Sequence, residues 1–380
     1  MNDNIRVNHQ VLIWARESLA LTRNNASEKT GISSKRLMQL ERGEKQPSLE
    51  ELREFSKAYK RTIATLLLSN LPKEKPLPPD RRTVDSKEVD SFHEKTIMAV
   101  RKARALAHSF IELRQELGIG SPKFNFIASI KDQPKSIAVK IRQLLNLDGN
   151  KEITNINQAL DAYIGKVESL GIAVFQMSLT QDKLRGFSIT DEPIPIIGIK
   201  RSGEQPTGKI FTLFHELGHI LLNEGGLCDL SEKTNIEIEK WCNAFAAEIL
   251  IPTSELLKME VVIKQMNSHE KIWSKKDLVT LGNHFHVGPL AILRSLLENR
   301  LTTSNFYEEK HKAWNKPQFG RTKHPEGRNI AKETIKEKGK TYISMAFSAF
   351  DKNRIDLKDL SDFLGIKLSY IQKTRQLLSA

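Results

Sequence analysis

Cysteine is nearly absent from this chain of 380 residues, with Cys228 and Cys242 the only two. Two thiols cannot staple a secreted scaffold, so a disulfide framework is excluded and a reducing, cytoplasmic setting is expected. Long apolar runs are missing too, and no stretch reaches the roughly 18 residues of a membrane-spanning helix. The opening Met1-Asn2-Asp3-Asn4-Ile5-Arg6 lacks the apolar centre of a secretory signal. Acidic residues are outnumbered: 59 Lys and Arg stand against 46 Asp and Glu, a formal charge of +13. That excess favours a polyanionic partner, nucleic acid first, although a solvated basic surface gives the same sum. A hydrophobic content of 39% is enough for real cores, and the length allows two or three domains.

The hydrophobic pattern predicts a mostly α chain with a small β-sheet, an α+β class. Residues 1–71 read as short helices and 72–90 as a stiff linker, with four prolines between 72 and 79. An α+β domain is expected over 91–300 and a basic helical region over 301–380. Within the α+β domain, helices are expected at 91–117, 133–145 and 155–170, strands at 171–177, 186–189 and 194–199, and helices again at 209–223 and 235–250. Pro193 and Pro195 imply that the third strand starts irregularly or lies at an edge. Residues 302–340 read as a loose connector, and no internal repeat of fixed period is visible.

At the N-terminus, Thr22 suits an N-cap, Gly31-Ile32-Ser33 a turn with a left-handed residue, and Ser33 or Ser34 the cap of a third helix over 35–42. Pro47-Ser48 opens a fourth, with Glu50 and Glu51 in its first turn. Ile13, Leu19, Ala26, Ile32, Leu37, Leu40, Leu52, Phe55 and Leu66 supply one small core. Trp14-Ala15-Arg16-Glu17, Gly31-Ile32-Ser33, Leu40-Glu41-Arg42-Gly43 and Gln46-Pro47-Ser48 together resemble the XRE family of phage-repressor helix-turn-helix domains. The resemblance implies that the third helix enters the major groove. Ser34, Lys35, Arg36 and Gln39 would then meet base edges, and Arg23 a phosphate or base. The competing reading is an inherited helical module used for protein contacts. Asn24 and Asn25 are poor helix formers, and twelve basic against eight acidic residues in 1–70 is a modest excess.

The most informative segment is Phe211-Thr212-Leu213-Phe214-His215-Glu216-Leu217-Gly218-His219. His215 and His219, at i and i+4, leave one helical face and can chelate Zn²⁺ through two nitrogens. Glu216, turned by about 100° on the helix, reaches a water rather than the metal and suits a general base. A catalytic zinc needs a third protein ligand and an open position. The next helix offers Glu237, Glu239 and Glu248. Helical phase puts Glu239 on one face with Asn243, and the other two off that face. Four blocks, Gly186-Phe187-Ser188-Ile189, Pro195-Ile196-Ile197, the His-Glu-x-x-His helix and Asn243-Ala244-Phe245-Ala246-Ala247-Glu248-Ile249-Leu250-Ile251-Pro252, resemble the ImmA/IrrE zinc metallopeptidases over roughly 150–300. The resemblance implies the gluzincin arrangement, with Glu239 as third ligand and Asn243 orienting a ligand imidazole. Glu248 is then structural. Lys200 and Cys242 depart from the family, which has Asn and Ala there. The strand 186–189 resembles an edge strand that pairs with extended substrate. His284 and His286 are the nearest downstream histidines, more simply read as core or surface residues.

These readings predict a zinc-dependent regulatory endopeptidase with operator DNA as one partner and a repressor or antitoxin-like protein as substrate. Repressor-type modules commonly dimerise, so a homodimer belongs to the same expectation. The alternative is a helix-turn-helix regulator or antitoxin whose metal site is structural or sensory. In residues 301–380, sixteen basic against nine acidic side chains and short amphipathic helices at 343–350, 357–364 and 368–378 suggest either a second helix-turn-helix-like module or a partner-binding cap.

Overall fold

The structure is a computed structural model that describes residues 6–78, 94–120, 124–147, 155–179, 184–228, 237–267, 271–314 and 329–379. Two compact units form, Met1–Leu77 with Lys87–Val100, and Pro78–Ser86 with Arg101–Ala380.

The first unit contains α1 (His9–Glu17), α2 (Arg23–Thr30), α3 (Ser34–Glu41), α4 (Leu49–Tyr59) and α5 (Ile63–Leu66). Each starts on a side chain that accepts an otherwise orphaned amide: Asn8, Thr22, Ser33, Ser48 and Thr62. Ser48 and Glu51 close a reciprocal capping box. Gly31, at φ +70°, ends α2 in the left-handed region that a Cβ disfavours. Leu12, Ala15, Leu19, Ala26, Leu37, Leu40, Leu52, Phe55 and Leu66 share the core. Ile13, expected there, is only half-buried, because Leu12 and Ala15 set the inward phase of α1. Leu77 and Ile97, the latter from the first turn of α6 (Glu94–Glu116), pack on the same core. Residues 79–90 of the expected linker lie outside the described residues.

The second unit continues with α7 (Pro134–Leu144), α8 (Ile156–Ser169), β1 (Ala173–Met177), β2 (Gly186–Ile189), β3 (Ile196–Lys200), α9 (Pro206–Leu221), β4 (Gly226–Cys228) and α10 (Glu237–Leu250). It ends with α11 (Thr253–Leu256), α12 (Glu260–Asn267), α13 (Lys275–Phe285), α14 (Pro289–Glu298), α15 (Ser304–Trp314), α16 (Ile330–Lys338), α17 (Lys340–Asp351), α18 (Leu357–Leu364) and α19 (Ile371–Ser379). The sheet order is β1-β3-β2-β4, with β1 parallel to β3 and the other pairs antiparallel. Two expectations change here. The strand 186–189 lies between β3 and β4, so its ladder is occupied on both sides and it is no edge. Pro193 and Pro195 precede β3 rather than interrupt it, and β3 is interior. β4, too short for a periodic signal, takes the edge.

Side chains alternate across the sheet. Val174, Ile197 and Ile199 join the core built around α8, α9 and α10. Phe175 points the other way, its ring 6.4 Å from Tyr342 of α17 in an edge-on contact, and Phe110 of α6 stacks on the same tyrosine. The C-terminal region therefore contributes a layer of the fold. Residues 302–340, expected as a connector, contain α15 and α16 instead, and 315–328 lie outside the described residues. Phe306 and Tyr307 supply the burial that orders α15 in a polar stretch. Among the described residues no helix is long and apolar enough to cross a membrane.

Candidate metal centre

Helix α9 opens with Pro206 in its first turn, where the missing N–H costs nothing. From Ile210 it is enclosed almost all round, with Leu213, Phe214 and Leu217 fully buried. Each such side chain contributes about 1.5–3 kcal/mol, so the helix is a rigid mount. Against it packs α10. At the crossing a Cβ on Gly218 would stand 3.1 Å from Cys242 Sγ and 3.2 Å from its Cα. The glycine thus lets the two backbones approach closely and explains its place in a helix interior. Cys242 brings a buried thiol, outside any disulfide, to that contact.

This close approach brings three donors together. Glu239 Oε2 lies 3.1 Å from His215 Nε2, Glu239 Oε1 lies 3.3 Å from His219 Nε2, and the two Nε2 atoms are 3.1 Å apart. All three residues are buried, and among the described residues they form the one group of three or more with metal-ligand spacing. A tetrahedral site with bonds of about 2.0–2.1 Å has donor–donor edges of roughly 3.3–3.4 Å. Two imidazole nitrogens and one carboxylate at these separations fit a borderline cation such as zinc. Burial pushes the Glu239 carboxyl up, but its contacts with His215 and His219 outweigh this and hold it well below the usual carboxylate range.

Asn243, one turn after Glu239, accepts a 2.9 Å hydrogen bond from His215 Nδ1. A proton on Nδ1 leaves the Nε2 lone pair for a metal, so Asn243 fixes the useful tautomer. Phe211 lies over the same imidazole, centroids 6.4 Å apart. Glu216 is fully buried. A Cβ on Gly186 would meet Glu216 Oε1 at 2.8 Å and Thr212 Cγ2 at 2.6 Å. Gly186 of β2 is therefore the space the carboxylate occupies, a positioning role the sequence reading missed. Its signal was a glycine at the start of a strand. Beside the centre a cavity of about 480 Å³ is lined by Phe211, Asn243, Ala247, Leu290, Arg294 and Tyr307, among others.

Residues 167–297 match the model of a peptidase family, described as the IrrE N-terminal-like domain, and residues 12–66 match a helix-turn-helix model. The chain carries an IrrE N-terminal-like peptidase domain behind a helix-turn-helix domain. No curated protein matches it significantly.

Other candidates in the IrrE N-terminal-like domain have different uses. Glu248 accepts from Thr253 N at 2.9 Å and from Thr253 Oγ1 at 2.8 Å, so it anchors the start of α11. Glu237 is exposed, and so is His284. His286 meets Tyr163 Oη at 3.0 Å and packs on its ring, outside the His215–His219–Glu239 group. Lys200 closes β3. The side chain of Cys228 lies outside the described ones.

In the helix-turn-helix domain, Lys35 is exposed on the leading turn of α3, with Ser34 and Gln39 half-exposed beside it. Ser34 Oγ reaches Asn24 Oδ1 at 3.3 Å. Two arginines are already engaged. Arg23 Nε lies 2.7 Å from Glu41 Oε2. Arg36 forms a two-pronged pair with Glu51 at 2.8 and 2.9 Å and also donates to Gln46 O. Both tie helices together, a use that spacing alone did not reveal.

Proposed function

We propose that this chain is a cytoplasmic, regulatory zinc-dependent endopeptidase of the gluzincin type that cleaves a repressor or antitoxin-like DNA-binding protein. The observation that carries the reading is the buried convergence of His215, His219 and Glu239 beside the equally buried Glu216. His215, His219 and Glu239 hold the zinc, which when bound supplies Lewis acidity and lowers the pKa of water. Glu216 takes the proton of the attacking water and returns it to the leaving amine. Asn243 keeps His215 in its ligating tautomer. Gly186 leaves Glu216 its place. The cavity beside Asn243 accepts a substrate side chain next to the scissile bond, which favours an apolar residue with a polar rim at Arg294.

The helix-turn-helix domain binds operator DNA as a homodimer, with Ser34, Lys35, Arg36 and Gln39 as the base-edge contacts and Arg23 as a phosphate or base contact. The test is metal analysis of the purified protein, paired with cleavage of the DNA-binding protein encoded beside it. Zinc at one equivalent, cleavage by the wild type, and a loss of about 10²–10⁴-fold in Glu216→Gln with zinc retained are expected. Cleavage by Glu216→Gln at the wild-type rate overturns the enzymatic reading. Unaltered regulation by that variant, with no cleavage in either protein, supports the structural or sensory alternative.

A further inference from the structure

Residues 329–379 lie outside both family matches, yet α17–α18–α19 repeat the local construction of α1–α2–α3. Helix α2 begins at Arg23, six positions after α1 ends at Glu17, and α18 begins at Leu357, six positions after α17 ends at Asp351. Each first connection holds a left-handed non-glycine residue, Ala20 at φ 54° and Asn353 at φ 53°. The amide of each donates three residues back, to Glu17 O and Phe350 O. Thr22 caps α2 by accepting from Asn25 N, and Asp356 caps α18 by accepting from Asp359 N. Each second connection turns at a left-handed glycine, Gly31 at φ 70° and Gly365 at φ 63°.

A single side-chain bond is reproduced in both turns. Ser27 Oγ donates to Ile32 O at 2.7 Å, and Ser361 Oγ donates to Ile366 O at 2.6 Å. Ser27 and Ser361, Gly31 and Gly365, Ile32 and Ile366 are each 334 positions apart. At that same offset, buried Ala26, Thr30 and Leu40 correspond to buried Leu360, Leu364 and Thr374. The tie between first and third helix recurs with its charges exchanged. Glu41 of α3 pairs with Arg16 of α1, and Arg375, the counterpart of Glu41, pairs with Asp351 of α17. The departure is at the third helix. Ser33 caps α3, but Lys367 makes no side-chain cap, and Leu368–Tyr370 enter α19 through a 3₁₀ turn.

The surface of this second third helix has one sign of charge. From 363 to the end the sequence contains Lys367, Lys373 and Arg375 and no Asp or Glu. Lys367, Leu368, Ser369, Gln372 and Lys373 are exposed, and among the described residues neither Lys367 nor Lys373 enters an ion pair. Lys373 stands where α3 has Gln39, and Ser369 where it has Lys35. Uncompensated positive charge on a leading helix turn suits phosphate better than a protein face.

We propose that residues 340–379 are a second helix-turn-helix that binds duplex DNA. Lys367 and Lys373 meet phosphates, Ser369 and Gln372 face base edges, and Leu368 offers apolar contact to a thymine methyl. The experiment uses the full chain and a labelled random-sequence duplex, followed by fluorescence anisotropy over a salt series. Lys367→Glu with Lys373→Glu is expected to weaken binding at least tenfold at low salt. It should also flatten the slope of log affinity against log salt by about 1.8, the value for two lost phosphate contacts. A control with the same charge change on exposed lysines elsewhere, Lys258→Glu with Lys264→Glu, should keep the wild-type slope. Both comparisons are repeated on a Lys35→Glu background, where the N-terminal domain is disabled, so a failure of the operator reading stays distinguishable. Lys367→Gln with Lys373→Gln gives the same loss if charge reversal disturbs the fold. An unchanged slope in the lysine variants, which reassigns the face to a protein contact, overturns the proposal. So does an equal loss in the control pair, which reduces the effect to bulk charge.

Discussion

Two buried carboxylates, one in each unit, are neutralised in different ways. In the helix-turn-helix domain Glu41 is 5% exposed and meets Arg16 at 2.6 Å and Arg23 at 2.7 Å. In the peptidase domain Glu239 is 2% exposed and meets His215 Nε2 at 3.1 Å and His219 Nε2 at 3.3 Å. Guanidinium is charged at every accessible pH, so the Glu41 pair is complete by itself. An imidazole can instead present a lone pair at Nε2, so the two histidines and the Glu239 carboxylate can share one divalent cation. A divalent cation completes the second arrangement and would have no place in the first. The difference teaches that a buried acid marks a metal site when its neighbours are lone-pair donors, and a structural tie when they are fixed cations.

The comparison breaks first at Glu41. Glu41→Ala leaves the buried Arg16 guanidinium only the exposed Glu17 and the Leu21 carbonyl and should cost about 3 kcal/mol of stability in the N-terminal domain, read by denaturant unfolding. Metal content should stay at the wild-type level, and a loss of metal would mean the two sites are not independent. Next comes Asn243→Ala, which frees the tautomer of His215. Metal affinity should fall about 10–100-fold, measured by competition with a chromogenic chelator. An unchanged affinity would deny Asn243 its orienting role.

Gly186→Ala forces a methyl against Glu216 and Thr212. Turnover should drop about tenfold while metal content holds, which separates placement of the base from assembly of the ligands. A coupled loss of metal would show that β2 supports the ligands as well.

The smallest expected effect concerns Glu168, a half-buried acid held by a hydroxyl rather than by an arginine or an imidazole. Glu168 accepts from Thr341 Oγ1 at 2.5 Å, and burial pushes its carboxyl up to about 8. Its folded pKa therefore lies above the unfolded value, so the folded chain keeps a proton that the unfolded chain releases. Stability is full below about pH 4.5 and is lost as pH rises toward about 8. Glu168→Gln should raise the melting temperature by about 2–4 °C at the upper end of that window, equivalent to roughly 1 kcal/mol, and by almost nothing at the lower end. Equal gains at both ends would show that the residue stays ionised throughout.

Much of the molecule was readable where the physics is local. The caps at Thr22, Ser33 and Ser48, the left-handed Gly31 and the His215–His219 spacing are set by side chains within a few residues of the backbone they act on. The failures share a different cause. Strand 186–189 was read as an edge because the three-residue β4 that covers it has no periodicity of its own. Residues 302–340 were read as a connector because α15 and α16 are polar by composition and stay helical through contacts made elsewhere. The second helix-turn-helix-like module near Gly365 was legible only as one of two alternatives, since few of its residues are identical to their N-terminal counterparts.

By itself, then, the sequence determined the caps of the first helices, the paired imidazoles on one face of α9 and the turn of Glu216 away from them, because helical geometry converts spacing into direction. It could narrow the third ligand to carboxylates on α10 but could not bring one to the histidines. Only the tertiary structure brought Glu239 beside the two imidazoles, through a glycine that lets α9 and α10 approach at Cys242. It also decided that Arg23 and Arg36 tie helices together before they meet any ligand. Partner choice across tens of residues depends on packing distance, and packing distance is a property of the whole core rather than of any segment.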